Sequence, residues 1–380
     1  MNTEKRLFQR CINCVMDTTD SKIVFDENGK CDFCNDYQQN ILPSWLKIRG
    51  NVEELTKISN KIKAAGKGKN YDCIIGMSGG VDSSYLCYVA KELMGLRPLV
   101  FIVDTGWNLD IANTNIDRIV KALDLDSYTE VIDWEEMKDL QLAFFKSQVP
   151  YQDLPQDHAI FASLYKYAIK NKIKYVLTGA NNATECIRPP IEWVYQNDLT
   201  FIKDIHKQFG TRQLRKFPLL SMVTYRAIYP IFYDMKRIAP LNIVDYDKDK
   251  VKQLLTDKFG WQPYENKHYE SVLTRFYEGY YLPHKFGYDK RKVYFSNLIL
   301  TGQMKREEAL AELAQQPYSD ELINKDREHI ARKLGISVDE FQEIIDGDNR
   351  TYRNYKNSWH FIQFCTIILR KLGTEKKKFR

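Results

Sequence analysis

Residues 71–88 read Tyr-Asp-Cys-Ile-Ile-Gly-Met-Ser-Gly-Gly-Val-Asp-Ser-Ser-Tyr-Leu-Cys-Tyr, which predicts a buried strand, a tight turn and a helix in direct succession. The strand spans Cys73 to Gly76, and Ser78-Gly79-Gly80 forms the turn. The two glycines permit positive φ and leave no Cβ in the way of a ligand. Asp82 to Ser84 lie in the first helical turn, whose free N–H groups and dipole attract anions. The stretch therefore predicts a phosphate cradle at the carboxyl end of a strand.

Two common phosphate-binding motifs do not fit this stretch. It lacks the Gly-Lys-Ser/Thr ending of a Walker A loop, and it is not the Gly-x-Gly-x-x-Gly fingerprint of dinucleotide-binding folds. It resembles instead the PP-loop ATP pyrophosphatase family, in which Ser-Gly-Gly-x-Asp-Ser grips the phosphates of ATP, which is cleaved to AMP and pyrophosphate. The matching positions are Ser78, Gly79, Gly80, Asp82 and Ser83.

Composition sets broad limits on the class of protein. The chain has 380 residues, enough for two or three domains, and 44% of them are hydrophobic, as in an ordinary globular protein. The net charge of +6 is mild; it suits a protein that handles phosphates and does not require nucleic acid. No apolar run approaches the length of a membrane span or a signal sequence, so a cytoplasmic protein is expected.

Four of the eight cysteines form two pairs near the N-terminus, Cys11-x-x-Cys14 and Cys31-x-x-Cys34. This spacing is typical of a four-thiolate zinc site in a ribbon, with a hairpin turn at Asp26 to Gly29 between the pairs. Four sulfurs leave no open coordination position, so the expected zinc is structural. The alternative is four free thiols.

Strand, loop and helix patterns alternate after the cradle. Apolar runs at 98–103, 128–132 and 174–177 are separated by amphipathic stretches at 111–123 and 137–148 and by a helix predicted at 159–171. This alternation predicts an α/β fold, a parallel sheet with helices on both faces. Ligands of such sheets lie beyond the carboxyl ends of the strands, which places Asp104 beside the cradle. The alternative for Asp104 is a turn or helix cap.

The strand at 174–177 ends in Thr-Gly-Ala-Asn-Asn-Ala-Thr-Glu, residues 178–185. In PP-loop relatives such as NAD synthetase, the corresponding strand end carries a glycine and a nearby acidic residue that helps to hold magnesium. The resemblance implies that Gly179 and Asn181 line the nucleotide pocket and that Glu185 is a magnesium ligand. The alternative is that Glu185 is an exposed helix residue.

Asp157 is a candidate helix N-cap, and a structural role is expected for His158.

From Tyr246 the sequence predicts helices. Aromatic and basic residues are interleaved at 268–291, which predicts either a buried aromatic helix face or a set of phosphate and carboxylate ligands, Arg275, Lys285, Lys290 and Arg291. Lys376 to Arg380 form a basic tail that is expected to be solvated. The predicted divisions are a four-cysteine, zinc-ribbon-like module at 1–45, the ATP-binding domain at 46–245 and a helical substrate or partner region at 246–380.

Several sequence blocks extend the resemblance over nearly the full chain, to the N-acetyl sugar amidotransferases of the WbpG/PseA type. Besides the cysteine pairs and the cradle, they are residues 103–108, 178–181, 274–276, 285–291, 296–299 and 302–310. The resemblance implies conversion of an acetamido group on a nucleotide-activated sugar to an acetamidino group, in the synthesis of bacterial O-antigen or flagellin glycans. Adenylation of the amide oxygen by ATP would be followed by attack of ammonia.

The resemblance also implies the roles of individual residues. Asp82, Lys285 and Arg291 are the catalytic candidates, Arg275, Lys285, Lys290 and Arg291 bind the nucleotide sugar, and ATP, Mg²⁺ and Zn²⁺ are the cofactors. The cradle from Ser78 to Ser84, Asp104, Gly179 and Asn181 hold the nucleotide. Ammonia would come from a separate glutaminase with a cyclase-like subunit, because the chain shows no glutaminase constellation of its own.

Two other functions remain open from the sequence. A tRNA-thiolating enzyme also combines zinc cysteines with a PP-loop, but it needs further active-site cysteines, and here only Cys186 stands beside the loop at 178–185. A zinc-ribbon interaction protein with a degenerate ATP site is the non-enzymatic alternative.

Overall fold

A computed structural model describes residues 6–195, 198–264 and 269–371 of the chain. Five parallel strands form one sheet in the order β3-β2-β1-β4-β5. Their bounds are Cys73–Gly76 (β1), Pro98–Asp104 (β2), Ser127–Val131 (β3), Tyr175–Leu177 (β4) and Lys236–Ile238 (β5). Ile74 of β1 pairs with Leu99 of β2 on one side and with Val176 of β4 on the other.

The order of the strands follows from their side chains. β1, β2 and β4 are apolar and buried, as expected for strands covered on both faces. β3 and β5 carry mostly exposed side chains and lie at the two edges. The chain runs from β1 out to β3 and then returns to the far side of β1 for β4. The gap between the ends of β1 and β4 is therefore the switch point at which such sheets bind ligands.

Helices cover both faces of the sheet. One apolar core joins Ile75 to Leu86 and Leu255, and the other joins Ile74 to Leu140 and Leu164, because successive residues of a strand point to opposite faces. The helices that precede, alternate with and follow the strands are α1 Asp32–Asp36, α2 Leu42–Leu46, α3 Val52–Ala65, α4 Val81–Tyr88, α5 Asp110–Ala122, α6 Trp134–Lys146, α7 Leu154–Lys170, α8 Asn182–Glu185, α9 Leu199–Phe209, α10 Tyr229–Tyr233 and α11 Lys248–Phe259. Wide π-helical turns extend α1, α4 and the start of α10.

The C-terminal region is helical, as predicted. Its helices are α12 Val272–Phe276, α13 Arg291–Leu300, α14 Arg306–Ala314, α15 Asp320–Leu334, α16 Val338–Asp346 and α17 Trp359–Lys371, and a π-helical segment, Tyr277–Phe286, continues α12. A separate core of Phe276, Tyr281, Ile330 and Phe341 joins α12, α15 and α16 and also contacts Trp107 after β2.

The fold class is confirmed, with corrections to the limits of particular elements. α7 begins at Leu154 rather than at Ala159, so its N-cap position is Asp153 and Asp157 lies inside the first turn. The sheet is closed by β5, which the sequence pattern did not indicate, and a 3₁₀ turn at Pro240–Asn242 follows it. The divisions 1–45, 46–245 and 246–380 stay a prediction, and the basic tail at 376–380 lies outside the described residues.

Among the described helices, none combines the length and the apolar character that crossing a membrane requires.

The contact between α12 and α15 depends on Asp326, which is 2% exposed. Its carboxylate accepts hydrogen bonds from Arg275 Nε and Nη2 at 2.8 Å each and another from the Tyr318 hydroxyl. We expect Asp326→Asn to lower the free energy of unfolding by about 1–3 kcal/mol, because a buried charged hydrogen-bond network loses its acceptor. Urea denaturation measures the loss. Asp245→Asn, which removes an exposed carboxylate from its pair with Arg49, is the control; an equal loss in both variants would contradict this account.

Candidate functional site

The loop after β1 requires a glycine at position 79 and leaves little room for a side chain at position 80. Gly79 has φ +83°, and a Cβ there would lie 2.5 Å from the carbonyl oxygen of Ala112 in α5. A Cβ on Gly80 would collide with the Glu270 carboxylate. The backbone can therefore pass close to α5 only with glycine at position 79, whereas a side chain at position 80 would displace the Glu270 carboxylate.

The serines of the loop have two different surroundings. The hydroxyls of Ser78 and Ser83 lie 3.4 Å apart, and Ser78 Oγ also accepts the N–H of Gly80 at 3.3 Å. Both serines line a cavity. Ser84 is fully buried and donates to the Gly79 carbonyl at 3.5 Å, so it supports the loop from behind. The Gly79 carbonyl also accepts from Trp261 Nε1 at 2.9 Å and from the Tyr264 hydroxyl at 3.2 Å.

Asp82, in the first turn of α4, is fixed by the loop after β4. Its Oδ1 accepts from the Tyr246 hydroxyl at 2.5 Å and from Asn181 Nδ2 at 3.2 Å. A Cβ on Gly179 would lie 3.2 Å from the Asp82 carbonyl carbon, so glycine suits this close approach. Burial, and next the Asp82 carboxylate, raise the pKa of Tyr246, which keeps this phenol protonated as a donor.

Asn181 itself is 1% exposed and caps α8, since its Oδ1 accepts the N–H of Thr184 at 2.8 Å. This cap orients the short helix that carries Glu185. Glu185 faces the same cavity as Asp82. Two carboxylates therefore reach the phosphate loop from two different strand ends.

We call this space the loop cavity; its volume is about 430 Å³, within the usual range for ligand sites. Its walls are the loop, the start of α11, the segment after α11 and the start of α13. The lining residues used below are Ser78, Gly80, Asp82, Ser83, Gly179, Glu185, Lys248, Lys252, Trp261, Tyr264, Tyr269, Glu270, Glu278, Lys290, Arg291, Tyr294 and Glu312.

The structure brings together most of the residues that the sequence indicates. Those in the wall of the loop cavity are Ser78, Gly80, Asp82, Ser83, Gly179, Glu185, Lys290 and Arg291. Gly79, Ser84 and Asn181 support the wall through the hydrogen bonds given above.

Three predicted site residues, Asp104, Arg275 and Lys285, are not in the wall of the loop cavity. Arg275 is held by Asp326, and Lys285 Nζ donates to the carbonyls of Ile345, at 2.7 Å, and Gly347. Asp104 accepts the N–H of Gly106 at 2.8 Å, the turn role that was its alternative. These side chains hold helices and a turn in place and do not line the loop cavity.

Lys290 and Arg291 reach the cavity already paired. Lys290 Nζ contacts the Glu278 carboxylate, which also accepts from the Tyr294 hydroxyl at 2.9 Å. The guanidinium of Arg291 binds Asp289 at 2.8 Å and the carbonyls of Glu312 and Gln315 at 3.0 Å each. Burial and Glu278 raise the pKa of Tyr294, so the phenol stays a donor.

Sequence reasoning missed Lys248 and Lys252, which begin α11 and face the cavity one helical turn apart. Their i, i+4 spacing was a usable signal for two cations on one helix face. It also missed Trp261 and Tyr264, because nothing in their local sequence shows that they reach the carbonyl of Gly79.

A second space, which we call the strand-end cavity, has a volume of about 500 Å³. It lies at the ends of β1 and β4, where Gly76, Thr178 and Gly179 form its floor. Phe161, Tyr165 and Tyr225 supply aromatic walls, Asp157 lines it from α7, and Arg226 and Arg237 also reach it. Gly179 belongs to both cavities, so the two spaces adjoin at the switch point of the sheet.

The four N-terminal cysteines form a compact, fully buried cluster. Their sulfurs lie within 4.8 Å of one another, with Cys14–Cys31 and Cys31–Cys34 at 3.6 Å and Cys11–Cys34 at 3.8 Å. Sulfurs around tetrahedral zinc, bound at ~2.3 Å, lie about 3.8 Å apart. The donor set therefore fits zinc.

Hydrogen bonds from the other three thiols lower the pKa of Cys11 far below its usual range, and the same contacts raise the pKa values of Cys14, Cys31 and Cys34. Four thiols crowded in this way favour partial ionisation, and a divalent cation would stabilise the thiolates together.

The segment that carries the cysteine cluster is hydrogen-bonded to the helices that line the loop cavity. Arg306 donates to the carbonyls of Cys11 at 3.0 Å and Cys14 at 3.1 Å, and the N–H of Val15 donates to Ser296 at 3.3 Å. Lys292 forms an ion pair with the buried Asp17 at 2.8 Å. The N-terminal cysteine segment is thus joined to α13 and α14, next to Lys290 and Arg291.

The remaining described cysteines line neither cavity. Cys186 is fully buried and donates to Asn297 at 3.0 Å, while Cys73 and Cys87 lie in the sheet core. Burial raises the pKa of Cys87 to about 12, which leaves it an unreactive thiol at neutral pH. His158 is also structural, since its Nε2 accepts the N–H of Leu220.

A parallel sheet in which Ser-Gly-Gly-x-Asp-Ser follows the first strand, at the switch point, defines a PP-loop protein. Comparison with known families narrows this class. Residues 270–366 match the family described as "LPS biosynthesis protein WbpG-like, C-terminal domain". The C-terminal region is therefore similar to the WbpG-like family, which supports the predicted WbpG type.

Two solved structures align with the chain at low sequence identity and low structural similarity. A predicted subunit of tRNA methyltransferase from Methanocaldococcus jannaschii shares 14% identity, with 48% of this chain and 73% of that chain covered and a TM-score of 0.27. The NH3-dependent NAD synthetase from Campylobacter jejuni also shares 14% identity, with coverages of 57% and 100% and a TM-score of 0.29. The curated proteins include no significant match to this chain.

We expect the purified protein to carry about one zinc per chain, and Cys31→Ala to lose it because a tetrahedral site needs all four thiolates. Metal analysis measures the zinc content, and thermal melting measures the accompanying loss of stability. Cys186→Ala is the matched control, since Cys186 is buried in the same core but is not one of the four. Zinc retained in Cys31→Ala, or lost equally from Cys186→Ala, would argue against the site.

Proposed function

We propose that the protein is an ATP-dependent amidotransferase that converts an acetamido group of a nucleotide-activated sugar to an acetamidino group. One observation carries the proposal: Lys290 and Arg291, within the WbpG-like region, line the same cavity as Ser78 and Ser83 of the phosphate loop. A region typical of one glycan-synthesis family thus faces the site at which a PP-loop holds ATP.

The reaction needs an activated amide, because an amide oxygen is a poor leaving group. The amide oxygen of the sugar attacks the α-phosphorus of ATP, and pyrophosphate leaves. Ammonia then attacks the carbon of the resulting O-adenylyl imidate, and AMP leaves. Catalysis of this kind depends on positioning and on stabilising the charge of the phosphates.

The two cavities suit the two substrates. In the proposal, the N–H groups of the loop and the start of α4 hold pyrophosphate. The adenosine occupies the strand-end cavity, where Phe161 and Tyr165 offer aromatic faces, and the nucleotide sugar enters the loop cavity. Lys252 and Lys248 then face its phosphates, and Trp261 and Tyr264 face its base or sugar.

Asp82 and Glu185 are the proposed magnesium ligands. Both carboxylates line the loop cavity beside the phosphate loop, and magnesium is usually bound by one or two carboxylates together with phosphate oxygens. The ion would neutralise the charge of the leaving pyrophosphate. Ammonia is proposed to come from a separate glutaminase with a cyclase-like subunit.

The tRNA-thiolating alternative receives no support from the described cysteines. That chemistry needs a reactive thiol or a cluster at the site, whereas Cys186 is buried, hydrogen-bonded to Asn297 and outside both cavities.

The test uses the purified protein with ATP, magnesium, ammonium and a panel of acetamido nucleotide sugars. We expect AMP and pyrophosphate to form only when an acceptor sugar is present, with a product in which NH has replaced O by mass spectrometry. Asp82→Asn should lower this turnover roughly 10²-fold or more, because a charged group at the phosphates is lost. Asp320→Asn, exposed in the first turn of α15, is the control. Unchanged turnover in Asp82→Asn would contradict the proposed role of the phosphate loop.

A substitution at Lys252 tests substrate binding without disturbing the fold. We expect Lys252→Met to raise the KM for the nucleotide substrates about tenfold, the size of one charge-assisted hydrogen bond, with little change in thermal stability. Steady-state kinetics with each substrate varied in turn measures the effect. Lys250→Met is the matched control, because it lies on the same helix but is exposed and outside the cavity. Equal KM values in the two variants would place the phosphates elsewhere.

A further inference from the structure

We propose that Asp157 is the catalytic residue that takes a proton from ammonium and so generates the attacking ammonia. The inference rests on the proposed function, since it names the base for the second half of that reaction. It concerns a residue that the sequence suggests only as a helix N-cap, a role that the structure gives to the position of Asp153 instead.

The position of Asp157 follows from the early start of α7. Because the helix begins at Leu154, Asp157 lies in its first turn, and its carboxylate lines the strand-end cavity with Thr178 and Gly179. Gly179 is also part of the loop cavity. Asp157 is also close enough to Glu278 and Lys290, which line the loop cavity, for their charges to affect its pKa.

The charged groups that face Asp157 come from three segments. Asp153 lies one turn earlier on the same helix, Glu278 comes from the segment after α12, and Lys290 precedes α13. Glu278 is occupied by Lys290 and Tyr294, and Asp153 accepts from Gln156 Nε2 at 2.8 Å and from Thr274 Oγ1 at 3.0 Å.

Within the described parts of the chain, no side chain donates a hydrogen bond to Asp157, which lines the strand-end cavity and is exposed to it. Three carboxylates against one lysine favour a small cation here. Ammonium fits this description, and its four N–H bonds supply the donors that the Asp157 carboxylate lacks.

The acid–base properties of the two aspartates are suited to this step. Burial raises the pKa of Asp157 to about 6, with Lys290 opposing the shift and Glu278 adding to it. Burial, together with the charge of Asp157, also raises the pKa of Asp153 well above its usual value. At pH 7 Asp157 is thus a carboxylate, and it is a stronger base than an ordinary aspartate.

The step balances without a further reactant. An N–H bond of ammonium breaks, and the proton forms an O–H bond on Asp157. The freed lone pair of nitrogen bonds to the imidate carbon, the bond from that carbon to the AMP oxygen breaks, and its electrons leave with AMP. The amidine product keeps a proton as an amidinium, and Asp157 releases its proton to water.

The experiment separates the two half-reactions. Exchange of labelled pyrophosphate into ATP, dependent on the nucleotide sugar, reports adenylation and needs no ammonia. In Asp157→Asn we expect this exchange to stay near the wild-type rate, while kcat/KM for ammonium chloride falls about 10²-fold at pH 7. The deficit should shrink as the pH rises, because free ammonia then replaces the missing base. In the wild type, kcat/KM for ammonium should fall as the pH drops through about 6, where Asp157 is protonated.

Asp157→Glu, which keeps the base, should recover part of the rate, and Asp204→Asn, in which a half-buried carboxylate in the middle of α9 and outside both cavities is changed, should behave as the wild type. An unchanged dependence on ammonium in Asp157→Asn overturns the inference. A raised KM for ATP with a normal response to ammonium also overturns it and makes Asp157 a ribose ligand. Absence of sugar-dependent exchange in the wild type contradicts the proposed function itself, and the inference with it.

Discussion

The site depends on the close approach of two loops that follow neighbouring parallel strands. Gly179, after β4, passes so near to Asp82, in the first turn of α4, that a side chain at 179 would press on the Asp82 backbone. Asn181 then donates to Asp82 and accepts from Thr184, so a single buried amide fixes both the phosphate loop and α8. The loop cavity and the strand-end cavity meet at this contact, and both change shape if it opens.

The C-terminal region completes the site because it forms hydrogen bonds to α8 and to the residues that follow it. The carbonyl of Ala183 in α8 accepts from Thr301 Oγ1 and from Gln303 Nε2 at 2.8 Å each. Asn297 Oδ1 accepts the N–H of Ile187 at 2.7 Å. Because Ser296 and Arg306 are hydrogen-bonded to the segment of the cysteine cluster, this cluster, α13 and the end of β4 form one connected unit. A zinc ion bound to the four cysteines would therefore help to shape the cavity at a distance from the phosphates.

Local signals account for what the sequence predicted well. The strand, turn and helix at 71–88 are specified by adjacent residues, and so are the apolar strands and the cysteine spacing. The placement of Arg275 and Lys285 was not predictable in this way, because their partners, Asp326 and the carbonyls near residue 346, are 51 or more positions away. A basic residue in an aromatic segment looks the same whether it faces a phosphate or a buried carboxylate. β5 was missed because its three residues are mostly exposed and carry two cations.

The charged residues of the loop cavity indicate which kind of ligand it binds. Its wall carries four cations, Lys248, Lys252, Lys290 and Arg291, and five acidic side chains, Asp82, Glu185, Glu270, Glu278 and Glu312. Lys290 is paired with Glu278 and Arg291 with Asp289, and Lys248 and Lys252 belong to the same wall, which is rich in carboxylates. A bare triphosphate would be repelled by such a wall, whereas a triphosphate with a divalent cation is attracted to both kinds of group. The same acidic surroundings extend through Glu278 to Asp153 and Asp157, so one arrangement of charge suits metal-bound phosphate in the loop cavity and a small cation beside it.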